Sequence, residues 1–316
     1  MNMSTALPYL LHKSATTALS AGAWLLILIG CQAPQKEKDT TPQEIRTADF
    51  ELIIPAEQKA LLILFPCFSC DAADTRSESK ITDEATANGI AVMLMNFNRH
   101  IVMSDPERTA AIAVIEGAVK QHKVNASNTF IGGFSSGGNV TMLLARSLLA
   151  SADPPVQLKG VFVVDSPIDL SHLYVASKRS LERPTFPEHK DENRMVVDLL
   201  DSTLGDPMTD SAAYEARSPL MNTAASLQPL KDLPIRFYTE PDTTWWRVNR
   251  GASYEDMNAF SLERLNRTSR ASGNERAEFI TTKDRGIQHG QRHPHSWSIV
   301  DEKELVEWIW SLSTSV

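Results

Sequence analysis

A serine flanked by glycines lies where a predicted strand becomes a predicted helix. The sequence GFSSG at residues 133–137 follows the apolar run at 129–131 and precedes an apolar stripe at helical spacing. A tight turn in this setting projects its central side chain above a sheet and directs a backbone N–H at developing negative charge. Ser135 has glycine two residues before and after it, whereas Ser136 has Phe134 two residues before it. The pattern therefore predicts Ser135 as a nucleophile of acyl transfer.

The elements around this turn alternate between buried strands and helices. Continuous apolar runs, typical of strands buried on both faces of a sheet, occur at residues 61–65 and 90–95. Further strands are predicted at residues 129–131, 161–164, 235–239 and 279–282. Helical patterns lie between them, at residues 74–88, 104–119, 140–148 and 301–312. Repeated strand–helix–strand units predict an α/β fold: a mostly parallel sheet with helices on both faces.

One connection is too long for a simple crossover between parallel strands. About seventy mainly polar residues of helical pattern separate the strands at 161–164 and 235–239. We interpret residues 170–225, approximately, as a helical cap inserted into a single domain that spans residues 51–316.

The serine motif and its setting resemble the α/β-hydrolase superfamily over about residues 55–312. The stretch IGGFSSGGN at 131–139 is most similar to the esterase and polyester-depolymerase branches, which often carry a second glycine after the turn. The resemblance implies a triad of serine, histidine and acid, no cofactor, and a small or polymeric ester as substrate. It also implies an acyl-enzyme intermediate.

The same resemblance selects the base from the histidines between the last strand and the last helix. These are His289, His293 and His295. The sequence HSW at 295–297 resembles the H-x-W that follows the last strand in polyester-depolymerase and feruloyl-esterase relatives. We therefore expect His295 to be the base, with His293 as the alternative.

The acid is expected after the strand at 235–239. The residues EPD at 240–242 resemble the family's strand-G-x-x-D pattern, which favours Asp242. Glu240 is the first alternative. Asp165, at the end of the preceding strand, is the second, because some relatives place the acid there.

The loop after the first buried strand is expected to complete an oxyanion hole with the N–H of Ser136. By resemblance to the family's H-G-x loop, Phe68 supplies the second N–H, with Cys67 as the alternative. Cys67 and Cys70 form a C-x-x-C, for which a thioredoxin-like context and a second metal-binding pair are both lacking. Two buried thiols or one local disulfide remain as the simplest interpretations.

Two further groups of residues near the candidate triad have alternative roles. The three histidines of the last loop, together with Glu240 or Asp242, have ligand types that bind zinc, but no HExxH helix supports a metal site. We therefore expect no metal. Trp245 and Trp246 follow the candidate acid and are expected either to line the substrate pocket or to pack in the core or cap.

Composition excludes several classes of protein without identifying a chemistry. The 316 residues are 42% hydrophobic and 22% charged, with a formal charge of −8. This composition is that of a globular body, and without a long basic run a nucleic-acid partner is not expected. A peptidase or acyltransferase on the same triad, and a binding lipoprotein without turnover, remain alternatives to an esterase.

The N-terminus is interpreted as a targeting segment. Residues 14–35 carry no charge, and their densest apolar stretch is about ten residues, closer to a signal peptide than to a spanning helix. The sequence LIGC at 28–31 resembles the bacterial lipobox, which implies a signal peptide at 1–30 and lipid attachment at Cys31. An uncleaved signal anchor is the alternative. Residues 31–50 are expected to form a flexible tether between a membrane and the body. The body is expected to be periplasmic or exposed on the cell surface.

Overall fold

A computed structural model describes residues 41–97, 101–183, 187–220 and 227–313 of the chain. The strands are Gln43–Arg46 (β1), Phe50–Ile54 (β2), Ala60–Phe65 (β3), Ile90–Met95 (β4), Thr129–Phe134 (β5), Leu158–Val164 (β6), Ile235–Thr239 (β7), Ala277–Thr281 (β8), Ile287–Gln288 (β9) and Gln291–Arg292 (β10). The helices are Ala72–Glu78 (α1), Ile81–Ala87 (α2), Asp105–His122 (α3), Ser136–Ala150 (α4), Leu170–Glu182 (α5), Pro187–Leu204 (α6), Ser211–Arg217 (α7), Thr243–Arg250 (α8), Asn258–Ala271 (α9) and Glu302–Ser313 (α10).

The first eight strands form one sheet in the order β1-β2-β4-β3-β5-β6-β7-β8. From β4 to β8 every neighbouring pair is parallel, whereas β1 and β2 run antiparallel to their neighbours. The short strands β9 and β10 form a separate hairpin. The prediction of a mostly parallel α/β sheet is confirmed.

Both faces of the sheet are covered by helices, as successive residues of β3 demonstrate. Leu62 and Leu64 pack in a core with residues of α2 and α10, whereas Leu61 and Ile63 pack in a second core with residues of α3 and α4. Side chains that alternate along a strand point to opposite faces, so a strand without polar residues must be covered twice. The apolar run of β3 therefore reflects its central place in the sheet.

A helical cap is inserted between β6 and β7, where the long connection predicts one. Helices α5, α6 and α7 share a small core of their own, in which Tyr174, Leu200 and Tyr214 are buried. Tyr174 Oη also donates a 2.6 Å hydrogen bond to Asp201 of α6. Ile101, from the loop before α3, packs in the same cluster and joins the cap to the body.

The predicted tether over residues 31–50 is wrong for its C-terminal part. Gln43–Arg46 pairs with β2 as the edge strand of the sheet, and β2 begins at Phe50. The strand is mostly exposed, so it carries no apolar alternation that would predict a strand. Ion pairs of Arg76 with Glu44 and Glu51 hold this edge against α1.

The predicted signal peptide at residues 1–30 and the predicted lipid site Cys31 lie outside the described residues. Within the described part of the chain, no helix combines the length and apolarity needed to cross a bilayer.

The close contact between β5 and β6 gives a test of the packing. A Cβ at Gly132 would overlap the ring of Phe162, whereas a Cβ at Gly117 of α3 meets no atom within 4 Å. We expect Gly132→Ala to lower the free energy of unfolding by about 1–3 kcal/mol through overpacking. The control Gly117→Ala should raise it by about 0.5–1 kcal/mol through helix propensity. Urea denaturation measures both, and a Gly132→Ala protein as stable as wild type would contradict this packing.

Candidate active site

Ser135 occupies a strained turn between β5 and α4. Its backbone is left-handed, with φ 53° and ψ −126°, and this conformation is costly for a residue with a side chain. The glycines around it are required by close backbone approach. A Cβ at Gly133 would overlap the backbone of Gly137, and a Cβ at Gly137 would overlap the carbonyls of Phe65 and Pro66. The sequence GFSSG thus forms the predicted turn.

The structure brings Ser135 and His295 together, and it places Asp165 beside His295 as the third residue of a hydrogen-bonded chain. His295 Nε2 lies 3.1 Å from Ser135 Oγ, and His295 Nδ1 lies 2.6 Å from Asp165 Oδ2. A carboxylate only accepts hydrogen bonds, so Nδ1 carries a proton and Nε2 of the neutral ring accepts one from the serine. The ring of Phe134 packs against the imidazole of His295 with centroids 4.6 Å apart, and Trp297 packs against Phe134.

Asp165 is fixed by the strands and helix around it. It follows β6, has a left-handed φ of 41°, and donates its backbone N–H to the carbonyl of Tyr238 on β7. Thr239 Oγ1 donates a 2.7 Å hydrogen bond to Asp165 Oδ1. Asn258 Nδ2 donates to the Asp165 carbonyl at 2.8 Å. With both carboxylate oxygens bonded and 5% of the residue exposed, Asp165 is held in one orientation towards His295.

The prediction of Asp242 as the partner of His295 is wrong, and so is its alternative Glu240. Asp242 caps α8 by accepting from the Trp245 N–H and accepts a second bond from Arg292. Glu240 is 2% exposed; it accepts from the backbone N–H groups of Arg285 and Gly286 and also pairs with Arg292. Both carboxylates follow β7, one strand further from the nucleophile than β6.

These two carboxylates instead fix the loop that carries His295. Arg292, the last residue of β10, bridges Glu240 and Asp242 three residues before His295. The backbone N–H groups bound by Glu240 belong to the start of the same loop, just before β9. Contacts at both ends of the β9–β10 hairpin therefore fix the loop between β8 and α10 to the end of β7.

His293, the alternative base, does not contact Ser135. Its Nδ1 lies 2.9 Å from the carbonyl oxygen of His295, so Nδ1 carries the proton of the neutral ring. Burial, with the nearby His295 and Arg250, lowers the pKa of His293 to about 4. Trp245 packs against this ring with centroids 4.8 Å apart. His293 thus supports the backbone of the base and stays neutral.

The loop after β3 lies beside the turn, as an oxyanion loop must. The carbonyls of Phe65 and Pro66 lie so close to Gly137 that a Cβ there would overlap them. Cys67 and Phe68 line the same cavity as Ser135 and Ser136. Ser136 is the first residue of α4. Cys67 and Cys70 form a disulfide that closes the loop. Of the two interpretations of the C-x-x-C, the local disulfide is therefore the one that the structure shows.

The cavity above Ser135 has a volume of 350 Å³. Trp246 lines it, whereas Trp245 packs between Trp246 and His293, so the two neighbouring tryptophans have different roles. His289, by contrast, lies on the β9–β10 turn with its side chain 83% exposed. Across residues 41–97, 101–183, 187–220 and 227–313, no group of three His, Cys, Asp or Glu side chains is arranged to hold a metal ion.

Several site residues carry little signal in the sequence. Asp165 follows β6, and Glu240 and Asp242 follow β7, so no local signal in the sequence favours Asp165 over them. Thr239 and Asn258 contact Asp165 from distant segments and have no motif. Glu192 and Arg250 line the cavity from the cap and from α8, and only the folded chain brings them together.

The neutral state of His293 predicts a pH dependence of stability. The unfolded histidine titrates near pH 6.5 and the folded one near pH 4, so the unfolded state binds more protons between these values. The free energy of unfolding should therefore fall as the pH is lowered through this window. In His293→Asn the amide can still donate to the His295 carbonyl but does not titrate. We expect wild type to lose about 2 kcal/mol more than the variant from pH 6.5 to pH 4.

Urea denaturation of both proteins at the two pH values checks this prediction. All other titratable groups are shared, so the difference between the two pH profiles isolates His293. Parallel profiles would show that the ring protonates as readily in the folded state as in the unfolded one.

Comparison with known proteins gives similarity of structure without similarity of sequence. No protein-family model matches the sequence, and no match was found among curated proteins. The structure is similar to that of carboxyl esterase 2 from the mycorrhizal fungus Tuber melanosporum, with a TM-score of 0.58, 14% identity and 89% of each chain covered.

Two further solved structures give the same result. Esterase B from Lactobacillus rhamnosis has a TM-score of 0.58 and 15% identity, over 84% of this chain and 82% of that one. An S-formylglutathione hydrolase from Agrobacterium tumefaciens has a TM-score of 0.54 and 11% identity, over 86% of this chain and 94% of that one. At identities this low, the TM-scores show that these proteins share a fold with this chain. Together with the sheet order and the serine turn, they show that this chain has the α/β-hydrolase fold.

Proposed function

We propose that this protein is a serine hydrolase that cleaves carboxylic esters through Ser135, His295 and Asp165. The observation that carries the proposal is the continuous path of hydrogen bonds from Ser135 Oγ through both nitrogens of His295 to Asp165. A serine hydroxyl is a weak nucleophile unless a base removes its proton, and this arrangement supplies the base and holds it in the required tautomer.

The first step transfers a proton as a bond forms. Ser135 Oγ attacks the carbonyl carbon of the ester while its proton moves to His295 Nε2, which produces an imidazolium. The buried Asp165 carboxylate stabilises that cation through the bond to Nδ1 and remains ionised itself. His295 then donates the proton from Nε2 to the oxygen of the leaving alcohol, which leaves an acyl group on Ser135.

The oxyanion of each tetrahedral intermediate is stabilised by backbone N–H groups. Ser136 is the first residue of α4, where N–H groups are unpaired within the helix and the helix dipole favours negative charge. Phe68, or Cys67 beside it, donates from the disulfide-closed loop across the cavity. Water, deprotonated by His295, attacks the acyl-enzyme by the reverse sequence and frees the acid and Ser135.

Ester hydrolysis is favoured over the other reactions that the same three residues perform. The solved structures with the same fold include esterases from Tuber melanosporum and Lactobacillus rhamnosis, together with an S-formylglutathione hydrolase. A peptidase or acyltransferase would use the same proton path, and substrate screening separates these activities. A binding lipoprotein that lacks turnover would not need the strained backbone of Ser135 or the ordered histidine tautomer.

We also propose that the protein is exported and anchored to a membrane by a lipid on Cys31. The support is the uncharged segment at residues 14–35 and the lipobox-like sequence LIGC at 28–31. On this proposal eleven residues, 32–42, separate the lipid-bearing Cys31 from the start of the edge strand β1 at Gln43. The hydrolase would act near a membrane surface in the periplasm or outside the cell.

The role of Asp165 is tested by comparison with Asp242. Asp165→Asn would hold His295 in the wrong tautomer, because an amide donates a hydrogen bond where the carboxylate accepts one, and we expect kcat to fall by about 10⁴-fold. Asp242→Asn keeps an oxygen for the α8 cap, and kcat should stay within about tenfold of wild type. Steady-state hydrolysis of para-nitrophenyl acetate measures both, with Ser135→Ala as the inactive reference.

The opposite ranking would contradict the proposed triad. If Asp242→Asn were the more damaging change, with both variants folded by circular dichroism, the acid would lie after β7. If neither change altered kcat, His295 would not act as an oriented base. A chelator should leave the wild-type rate unchanged in either case.

A further inference from the structure

Among the described residues, the wall of the catalytic cavity carries one arginine and no lysine. Arg250, in the last turn of α8, lines the cavity together with Glu192 of α6. Apolar residues form much of the remaining wall, including Ile101, Leu173 and Val196. A guanidinium loses part of its hydration where it lines a partly apolar cavity, so its presence there favours a binding role.

Arg250 is held in place by two histidines and one carboxylate. Its Nη1 lies 2.6 Å from His189 Nδ1 and 2.9 Å from Glu192 Oε2, and its Nη2 lies 3.4 Å from His293 Nε2. The His293 ring donates through Nδ1 to the His295 carbonyl, so its Nε2 offers a lone pair to the guanidinium. These contacts orient the guanidinium between the base-carrying loop and the cap.

The contacts of Arg250 leave its positive charge weakly compensated. The histidines contribute no negative charge, so Glu192 is the anionic partner among the described residues. The Glu192 side chain is 61% exposed, whereas that of Arg250 is 23% exposed, so water screens this ion pair strongly. A less exposed anion that entered the cavity would interact with the guanidinium more strongly than Glu192 does.

A polar recess beside Arg250 offers space for such a group. It has a volume of 130 Å³, and its polar lining includes Ser177, Ser180, Asn193 and His293, the cations Arg183 and Arg250, and the carboxylates Glu192 and Asp256. Asp256 is already paired with Arg179 and Arg183. Trp246 and His295 border both this recess and the catalytic cavity, so the two spaces adjoin. The recess is several times the volume of a water molecule, which is enough for a carboxylate.

We infer that Arg250 binds a carboxylate of the substrate, so that the preferred substrates are esters with a free carboxylate on their acyl or alcohol part. The inference rests on the proposed esterase function and assigns it a substrate class. A guanidinium binds a carboxylate through two parallel N–H donors. Because Nη1 already contacts His189 and Glu192, a substrate carboxylate would replace Glu192 on Nη1 and use the second N–H of Nη2. Arg250 is therefore a specificity-determining residue.

Two matched pairs of esters test the inference. On the acyl side they are the para-nitrophenyl monoester of suberate and the same ester with a terminal carboxamide. On the alcohol side they are the acetate esters of para-hydroxybenzoate and para-hydroxybenzamide. Each pair differs in charge and scarcely in shape. The ratio of kcat/KM for the carboxylate to kcat/KM for the amide, measured within one protein, cancels any general loss of activity.

Three variants separate charge recognition from structural support. In at least one pair, Arg250→Gln should lower the ratio about tenfold or more, as expected on losing a hydrogen bond to a charged group. Glu192→Gln removes the competing carboxylate and should raise the same ratio by about threefold. Arg247→Gln is the matched control, because Arg247 is an exposed arginine on the same helix, and its ratio should equal that of wild type.

The possible outcomes separate failure of carboxylate recognition from failure of the proposed esterase function. If wild type cleaves the amide esters and Arg250→Gln leaves both ratios unchanged, carboxylate recognition is wrong and the esterase proposal stands. If Arg250→Gln lowers the rates for both members of each pair equally, Arg250 only supports the cap and the inference is again overturned. If folded wild type cleaves none of the four esters, the proposed function itself fails.

Discussion

The hydrogen bond between Asp165 and His295 is the interaction on which the candidate site depends. It joins the end of β6 to a loop that returns to the sheet only after β8, 130 residues later in the chain. The imidazole reaches Ser135 because this bond fixes both its tautomer and its direction. Thr239 and Asn258 hold the carboxylate, and Phe134 packs against the imidazole, so neighbouring elements restrict both groups before a substrate binds.

The end of β7 has a structural role that complements this bond. Glu240 and Asp242, which follow β7, bind Arg292 and the backbone near Gly286, and so they fix the loop that carries His295. A buried carboxylate is stable only when its charge is compensated, and breaking such a pair costs several kcal/mol. The acid that orients the imidazole and the acids that position its loop therefore lie on neighbouring strands.

The sequence predicts the fold and the serine turn well because both depend on local patterns. Apolar runs such as 61–65 and the GFSSG motif need no knowledge of distant residues. Local sequence does not identify which of Asp165, Glu240 and Asp242 contacts His295, because each of the three follows a strand. The folded chain decides it, because His295 Nδ1 bonds to Asp165, whereas Glu240 and Asp242 bond to Arg292. The edge strand β1 was missed because exposed edge strands carry polar residues.

Covalent labelling tests the central claim, that Ser135 is a nucleophile activated by His295. The protein would be treated with a fluorophosphonate, and the adduct would be located by peptide mapping, beside Ser135→Ala and His295→Ala. We expect one adduct on Ser135, its absence in Ser135→Ala, and strongly slowed labelling in His295→Ala. An adduct on another residue, labelling that does not depend on His295, or no adduct on well-folded protein would contradict it.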